Sequence, residues 1–491
     1  MDNTGGSASS GAGTTDTTGT ATAAAAAPTE MSEEVRKRSL TYSIGDGCAY
    51  SVMVGLGDSY ISPFAVFLNA TNTQIGLLTA IPQAVGALFQ LVGVTLADTV
   101  KRRKLVAVSG STVQALAWIP IALSPFLFGP SAPVALIVFW ALYVGFVSLT
   151  VPAWNSWMGD LVKPDERGLY FGKRTSLTQV ASFIAYVAGG LILQAFADRG
   201  HTVAGFCVLF GLAFAARAVS IFCLGRKFEP TYMHAKEDRF TLWDFLSRAP
   251  RANFGRFVFY VAIFTFCVHI SAPFFAVYML RELGFTYRQF MVSNGVAVLA
   301  TLFTLRSWGK VGDKYGNKKA LTLAGLLVPI VPILWTLSRN YYYLLFVQAA
   351  AGFAWGGFSL SASNFLFDAV TPPKRARCTG YSSLINGMAI FTGAVAGGLI
   401  VNSLPNRIGI GDFSVCFASN LQTLFLLSGL LRLATSVVFL RLFQEVKPVE
   451  SISVHRLLFT TMQIWPPPSV VLRVLAFRDK KKDGDDEQEE K

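Results

Sequence analysis

The chain has 491 residues, of which 14% are charged and 52% hydrophobic, with a net charge of +13. Soluble domains carry about a quarter charged residues, so this balance argues against one and points to a chain solvated mainly by lipid. The positive charge does not call for nucleic acid. Lys and Arg gather in short links between apolar runs, where they orient membrane proteins and meet anionic lipid. The six cysteines form no CxxC pair and fall mostly inside apolar runs, which speaks against a zinc site or a disulfide framework.

Residues 1–40 open on a Gly/Ser/Thr/Ala tract with too few large apolar side chains to offset its ordering entropy, which predicts a disordered tail. Twelve apolar segments follow, each long enough to cross a hydrocarbon core of about 30 Å. Six lie at 43–68, 73–97, 105–128, 133–158, 170–197 and 203–224, and six at 257–280, 288–311, 318–337, 341–367, 379–404 and 416–443. In lipid every backbone amide must be bonded internally, so each is expected to be a helix. Residues 41–224 then form one six-helix bundle and 257–445 a second, with a tail at 446–491. The linker 225–256 places Phe240, Leu242, Trp243, Phe245 and Leu246 among charges, the pattern of an amphipathic helix at the interface. One set of alternate links carries 22 Lys and Arg and the other carries 5. The positive-inside rule puts the first set and both termini in the cytoplasm of a multi-pass protein of a plasma or bacterial inner membrane.

The halves repeat each other. Asp160, Val162, Pro164, Arg167 and Gly172 recur, in the same spacing, as Asp368, Val370, Pro372, Arg375 and Gly380. Val187–Ile192 (VAGGLI) recurs verbatim as Val395–Ile400, again offset by 208. Phe64–Phe67 answers Phe275–Tyr278 at an offset of 211, and Arg217 answers Arg432 at 215. Ordered matches of this kind mean duplication.

Two parallel six-helix repeats form the architecture of the major facilitator superfamily, and the chain resembles that family at its best-known loop motif. The second copy reads Gly309, Gly312, Asp313, Lys314, Gly316, Lys318, Lys319; the first keeps Asp98, Arg102 and Arg103 but has Val94 and Lys101 where glycines are expected. The resemblance covers roughly residues 40–445. It implies an all-α membrane fold of twelve helices in two pseudo-symmetric bundles, with these motifs, and the repeated Asp160, Arg167, Asp368 and Arg375, acting as a cytoplasmic gate. An acid at a helix end facing basic residues can make charge-assisted contacts that latch two bundles.

Ionisable groups at mid-bilayer are costly unless they pair or line water, so each is a candidate for function. Asp58 lies near the centre of the first segment, just after Gly55 and Gly57, which are expected to open space around it, and His269 is its repeat mate in the seventh. Together they form a candidate proton-coupling pair; the competing reading of Asp58 is a satisfied buried carboxylate. Arg217 and Arg432 could serve as anion clamps, but a residue duplicated in both halves favours shared scaffolding. Gln83, Asn155, Asn294 and Asn364 are candidates for solute contact, and Trp154, Trp157 and Trp355 could stack on a ring. No Walker lysine motif and no catalytic or metal-ligand constellation stands out. The expectation is a secondary active transporter of a small solute, working by alternating access, coupled to protons, monomeric, and needing no cofactor. Its rival is a non-transporting sensor or assembly partner of the same fold.

Overall fold

The computed structural model describes residues 32–100, 102–163, 165–230, 247, 251–370, 372–410 and 413–446. The first half contains α1 (Glu33–Leu56), α2 (Ile61–Phe67), α3 (Asn72–Val100), α4 (Arg103–Phe128), α5 (Ala132–Leu161), α6 (Arg167–Ala197) and α7 (Thr202–Arg226). The second contains α8 (Asn253–Ser271), α9 (Phe274–Val277), α10 (Tyr287–Tyr315), α11 (Asn317–Leu327), α12 (Ile330–Leu334), α13 (Tyr341–Ala369), α14 (Pro372–Ile400) and α15 (Asn420–Phe439). A two-stranded hairpin, β1 (Arg407–Ile410) and β2 (Phe413–Cys416), is an addition that the apolar pattern did not predict.

Ten stretches of the described chain are long and apolar enough to cross a bilayer, and one of them, Arg103–Leu161, is two helices, α4 and α5. They part at Gly129, whose φ of +48° suits the one residue without a Cβ. The stretch formed by α1 and α2 is not among the ten, because Asp46, Asp58 and several serines and glycines dilute its apolar run. α1 also begins earlier than expected. Ser32 caps it by accepting from the Val35 amide, and Glu33 and Glu34 complement the helix dipole, so residues 33–40 are helical rather than part of the tail. Residues 1–31 and most of the predicted amphipathic linker helix lie outside the described residues.

Lipid tails are as apolar as leucine, so close packing rather than apolar burial holds such helices together. The packing scheme is duplicated: α1 meets α6 and α7 as α8 meets α14 and α15, and α5 meets α3 and α4 as α13 meets α10 and α11. The halves meet through α3 against α14 and α6 against α10.

This arrangement explains the verbatim VAGGLI repeat. A Cβ on Gly189 would strike the ring of Tyr60, and one on Gly397 the carbonyl of Ile270, each inside its own half. The next glycine faces the other half: Gly190 lies against Met291 of α10, and Gly398 against Gly76 of α3. One small residue lets the bundle close on itself and the next lets the bundles close on each other.

Among the described residues, the hydrogen bonds between the halves gather at one end. Thr73 donates to the Gly398 carbonyl (3.2 Å), Asn72 to Asn402 (3.0 Å), Arg281 to the Ala70 carbonyl (2.9 Å), and the Arg288 amide to Gln194 (3.1 Å). Phe206 and Tyr287 meet edge to face there, 5.7 Å between centroids. Toward the end that carries the basic links, Gly168 and Gly172 on α6 and Gly380 and Gly387 on α14 have open space where a Cβ would stand.

Candidate functional site

Ionisable side chains concentrate inside the first bundle. On α1, Asp46 accepts from the Ser220 hydroxyl (2.7 Å) and pairs with Lys227 Nζ (3.4 Å). Ser220 in turn accepts from Arg217 Nη1 (2.7 Å), while Arg217 Nη2 donates to Ser111 of α4 (2.7 Å). The guanidinium of Arg217 stands 4.9 Å from the Tyr50 ring. Asp46, Ser111, Arg217, Ser220 and Lys227 are all buried. Charges out of water are costly unless paired and hydrogen-bonded, so this network holds α1, α4 and α7 in one register.

A cavity of about 260 Å³ opens beside it, lined by Asp46, Tyr50, Trp154, Asn155, Arg174 and Arg217 among others. Arg174, from α6, donates through Nε to the Ser43 carbonyl (3.2 Å) and lies 4.6 Å from the Trp154 ring.

Asp58 sits in the single 3₁₀ turn between α1 and α2, half-buried, and its Oδ1 accepts from the Tyr143 hydroxyl at 2.6 Å. Its flanking glycines do not open space around it. A Cβ on Gly57 would meet the Trp118 ring, and one on Gly55 the backbone of α6 at Ser182. They are close-packing glycines. Near this turn a second cavity, about 400 Å³, lies between the halves, with Ser59, Ser62 and Tyr186 on one wall and Phe275, Met279 and Asn294 on the other.

The other sequence candidates divide. Asn294 faces the cavity between halves, and Asn155 and Trp154 face the first cavity. His269 is not hydrogen-bonded to Asp58. Its Nδ1 lies 2.9 Å from the Thr265 carbonyl and its Cβ packs against Gly393 of α14, so the expected pair is held as two separate groups. Trp355 packs on Phe264 and Phe358, and Trp157 is buried with Nε1 donating to the Phe228 carbonyl (2.8 Å). Gln83 and Asn364 are half-buried and line neither cavity. Arg432 is held wholly by its own bundle, through Ser428, Ser271 and the Val268 carbonyl.

The repeated loop motifs meet each other within each half. Buried Arg103 pairs with Asp160 (2.5 Å) and donates to Ser156 (3.0 Å). In the second half Asn317 donates to Asp368 (2.8 Å). Arg167 caps the end of α5 through the Gly159 and Val162 carbonyls. Gly312 approaches Asn317 closely, and Gly316 takes a φ of +95° where α10 turns into α11. Gly309 has only the Leu360 side chain nearby, Lys314 stands 5.2 Å from the Tyr315 ring, and Lys318 points at Phe443. Arg102 and Asp313 are exposed, and Asp313 makes no ion pair among the described residues. The side chains of Asp98 and Arg375 lie outside the described residues.

Sequence reasoning missed Asp46, Tyr143, Arg174 and Lys227. For Asp46 the signal was available: an acid inside the first apolar run, as open to notice as Asp58.

Comparison with known proteins agrees with this architecture. The sequence profile of the Major Facilitator Superfamily matches residues 47–304 and 254–477, most of the chain. A Caenorhabditis elegans transporter candidate, svop-1, is 32% identical over 71 residues, which is 14% of this chain and 14% of that protein. Among solved structures, a variant of the nucleoside transporter NupG superposes with a TM-score of 0.65 at 14% identity, covering 84% of this chain and 100% of its own. A bacterial homologue of the iron transporter ferroportin gives 0.60 at 14% identity (83% and 98% covered). A bacterial homologue of the human lysosomal transporter Spinster gives 0.57 at 14% (88% and 98%). At such identities the likeness speaks for the fold, while the profile match spans both repeats, and on that ground the chain belongs to the major facilitator superfamily of membrane transporters.

Proposed function

We propose that this transporter carries a small solute by alternating access and couples the cycle to protons through Asp58. One observation carries the reading: glycines on α6 and α14 are tightly packed at one end of the molecule and face open space at the other. Two bundles in contact at a single end have a second arrangement available, in which that end opens and the other closes. With the basic links in the cytoplasm, the open end is the inner one. The Spinster and ferroportin homologues were both captured facing inward, which supports that assignment. Asp313 then stands exposed because its latch is released in this state.

Asp58 is the favoured proton carrier by position. It occupies the break in the first helical stretch, near the cavity between halves, and accepts from the Tyr143 hydroxyl. His269 is assigned a lesser part, as a group tied to its own backbone. Solute contact is assigned to Asn294 across the cavity between halves and to Asn155 in the first bundle.

Two spin-label pairs test the rocking. One joins Lys173 to Lys310 at the basic end, and the other joins Thr71 to Asn402 at the opposite end. In lipid, the first distance is expected to shorten as the second lengthens when the pH gradient is reversed. Distances that stay fixed, or that change together, would overturn alternating access.

A further inference from the structure

We propose that the cavity inside the first bundle binds a small monocarboxylic acid, with its carboxylate on Arg217 and its apolar body against α5. The inference rests on the transporter reading only in treating that acid as a solute that is carried.

Charge is the first ground. Arg174 and Arg217 both line the cavity, and among the described residues neither makes an ion pair. Among the described residues Asp46 is the one acid in the wall, and it already holds Ser220 and Lys227. Arg217 is buried and Arg174 half-buried, and Asp58, though within electrostatic reach of Arg217, makes no ion pair with it, so positive charge withdrawn from water is left for an anion to offset.

Arg217 is the second ground. It is 5% exposed, both of its bonded Nη atoms go to neutral hydroxyls, and its Nε has no hydrogen-bond partner. A guanidinium offers a planar fork of donors that matches a carboxylate. Gln114, one turn along α4 from Ser111, likewise buries both ends of its amide without a partner. The network is not closed by the protein alone.

The third ground is the duplicate. In the second half Arg432 satisfies Nε on Ser428 and Nη2 on Ser271 and the Val268 carbonyl. The repeat offsets put Phe257 where Asp46 stands and Phe358 where Thr150 stands, and both belong to an aromatic cluster with Phe264 and Phe365. An arginine at this position can therefore be satisfied without a ligand. The first half leaves it open beside a cavity instead.

Asp46 in the wall repels a second negative charge, so a monoanion is preferred to phosphate. The remaining wall is apolar at Ala107, Val147, Val151 and Leu224, which suits a compact hydrocarbon body.

Equilibrium binding of radiolabelled benzoate to the purified full-length protein tests this, with benzamide and inorganic phosphate as competitors. Benzoate is expected to occupy one site per chain, and both competitors to displace it poorly. Arg217→Gln should weaken binding roughly 10- to 100-fold, the factor carried by a lost charge-assisted hydrogen bond. Val151→Trp, at the exposed rim, should block the site without touching the buried charges and decides the case if Arg217→Gln does not fold. Absence of benzoate binding in the wild type, or undiminished binding in a folded Val151→Trp or Arg217→Gln protein, overturns the site. Proteoliposome uptake separates the two readings. Benzoate that binds but is never taken up leaves the site and defeats carriage, whereas proton-driven uptake indifferent to Arg217 leaves the transporter and defeats the site.

Discussion

The glycines of these contacts permit a direct test of which of them hold one bundle together and which let the two bundles close on each other. Gly76→Ala places a Cβ 2.6 Å from the Ala394 carbonyl, across the contact between halves. Gly397→Ala drives a Cβ into the Ile270 carbonyl, inside the second half. The two clashes are chemically alike, each a methyl against a backbone oxygen, and overpacking of this kind costs about 1–3 kcal/mol. They differ in how the cost can be relieved. Separation of the halves at that end removes the Gly76 clash altogether, so its cost falls on the present conformation and not on the fold. A penalty of about 1–3 kcal/mol on one of two states shifts their ratio by roughly 5- to 150-fold. No rocking relieves the Gly397 clash, so its cost appears as lost stability. Spin-label distances between Thr71 and Asn402, read beside thermal melts in detergent, separate the outcomes. Gly76→Ala should lengthen the distance at a nearly native melting temperature, and Gly397→Ala should lower the melting temperature at an unchanged distance. If Gly76→Ala melts as early as Gly397→Ala with no change in distance, the contact between α3 and α14 is scaffold and the two-state argument fails.

Three further outcomes follow from the same geometry. Asp58→Asn should abolish proton-driven accumulation in proteoliposomes yet keep solute exchange at equal pH; continued accumulation against a gradient would return Asp58 to a structural role. Asp313→Asn should leave the melting temperature unchanged, because Asp313 is exposed and makes no ion pair among the described residues, while reducing the population in which Lys173 and Lys310 are close; an unaltered spin-label distribution would exclude the latch. At Lys227, just past the end of α7, burial pushes the ammonium down to about 8 from 10.5, against the opposing pull of Asp46. The folded value lies below the unfolded one, so the unfolded chain holds more protons between them. Stability should therefore rise with pH from about 8 to about 10.5, and below about 8 the full cost of the buried ammonium should persist with no further pH dependence from this group. Melts across this range in wild type and Lys227→Met should differ in slope, and parallel curves would contradict the assignment.

Most of the fold was legible because lipid leaves the backbone little choice. Long apolar runs between basic links must be helices, and the repeat spacing ties each to a counterpart. The exceptions have local causes. α1 extends to Glu33 because Ser32 supplies a cap and the first turn is acidic, a signal weaker than the low-complexity tract before it. The hairpin β1–β2 is only four residues a strand, too short to register against the surrounding apolar segments. The glycines beside Asp58 were misread because a sequence cannot tell a glycine that opens space from one that lets Trp118 or α6 fill it.

The site was harder to read for a reason rooted in the duplication itself. Matching the halves picks out what they share, and shared residues such as Arg103, Asp160, Asp368 and the VAGGLI glycines turn out to brace helices within or between bundles. The unusual chemistry lies where the copies disagree. Asp46 answers Phe257, Thr150 answers Phe358, and Lys227 answers Leu442, so one bundle carries buried charge around a cavity where the other carries packed rings. Even the repeated arginine pair follows this division: Arg432 Nε is bonded to Ser428, and Arg217 Nε, at the same place in the repeat, has no partner among the described residues. On the proposed rocking of the bundles, one half can stay rigid while the other responds to its ligand. The aromatic packing of Phe257, Phe264, Phe358 and Phe365 suits the second half to that passive role, and the charge network gives the first half something to exchange.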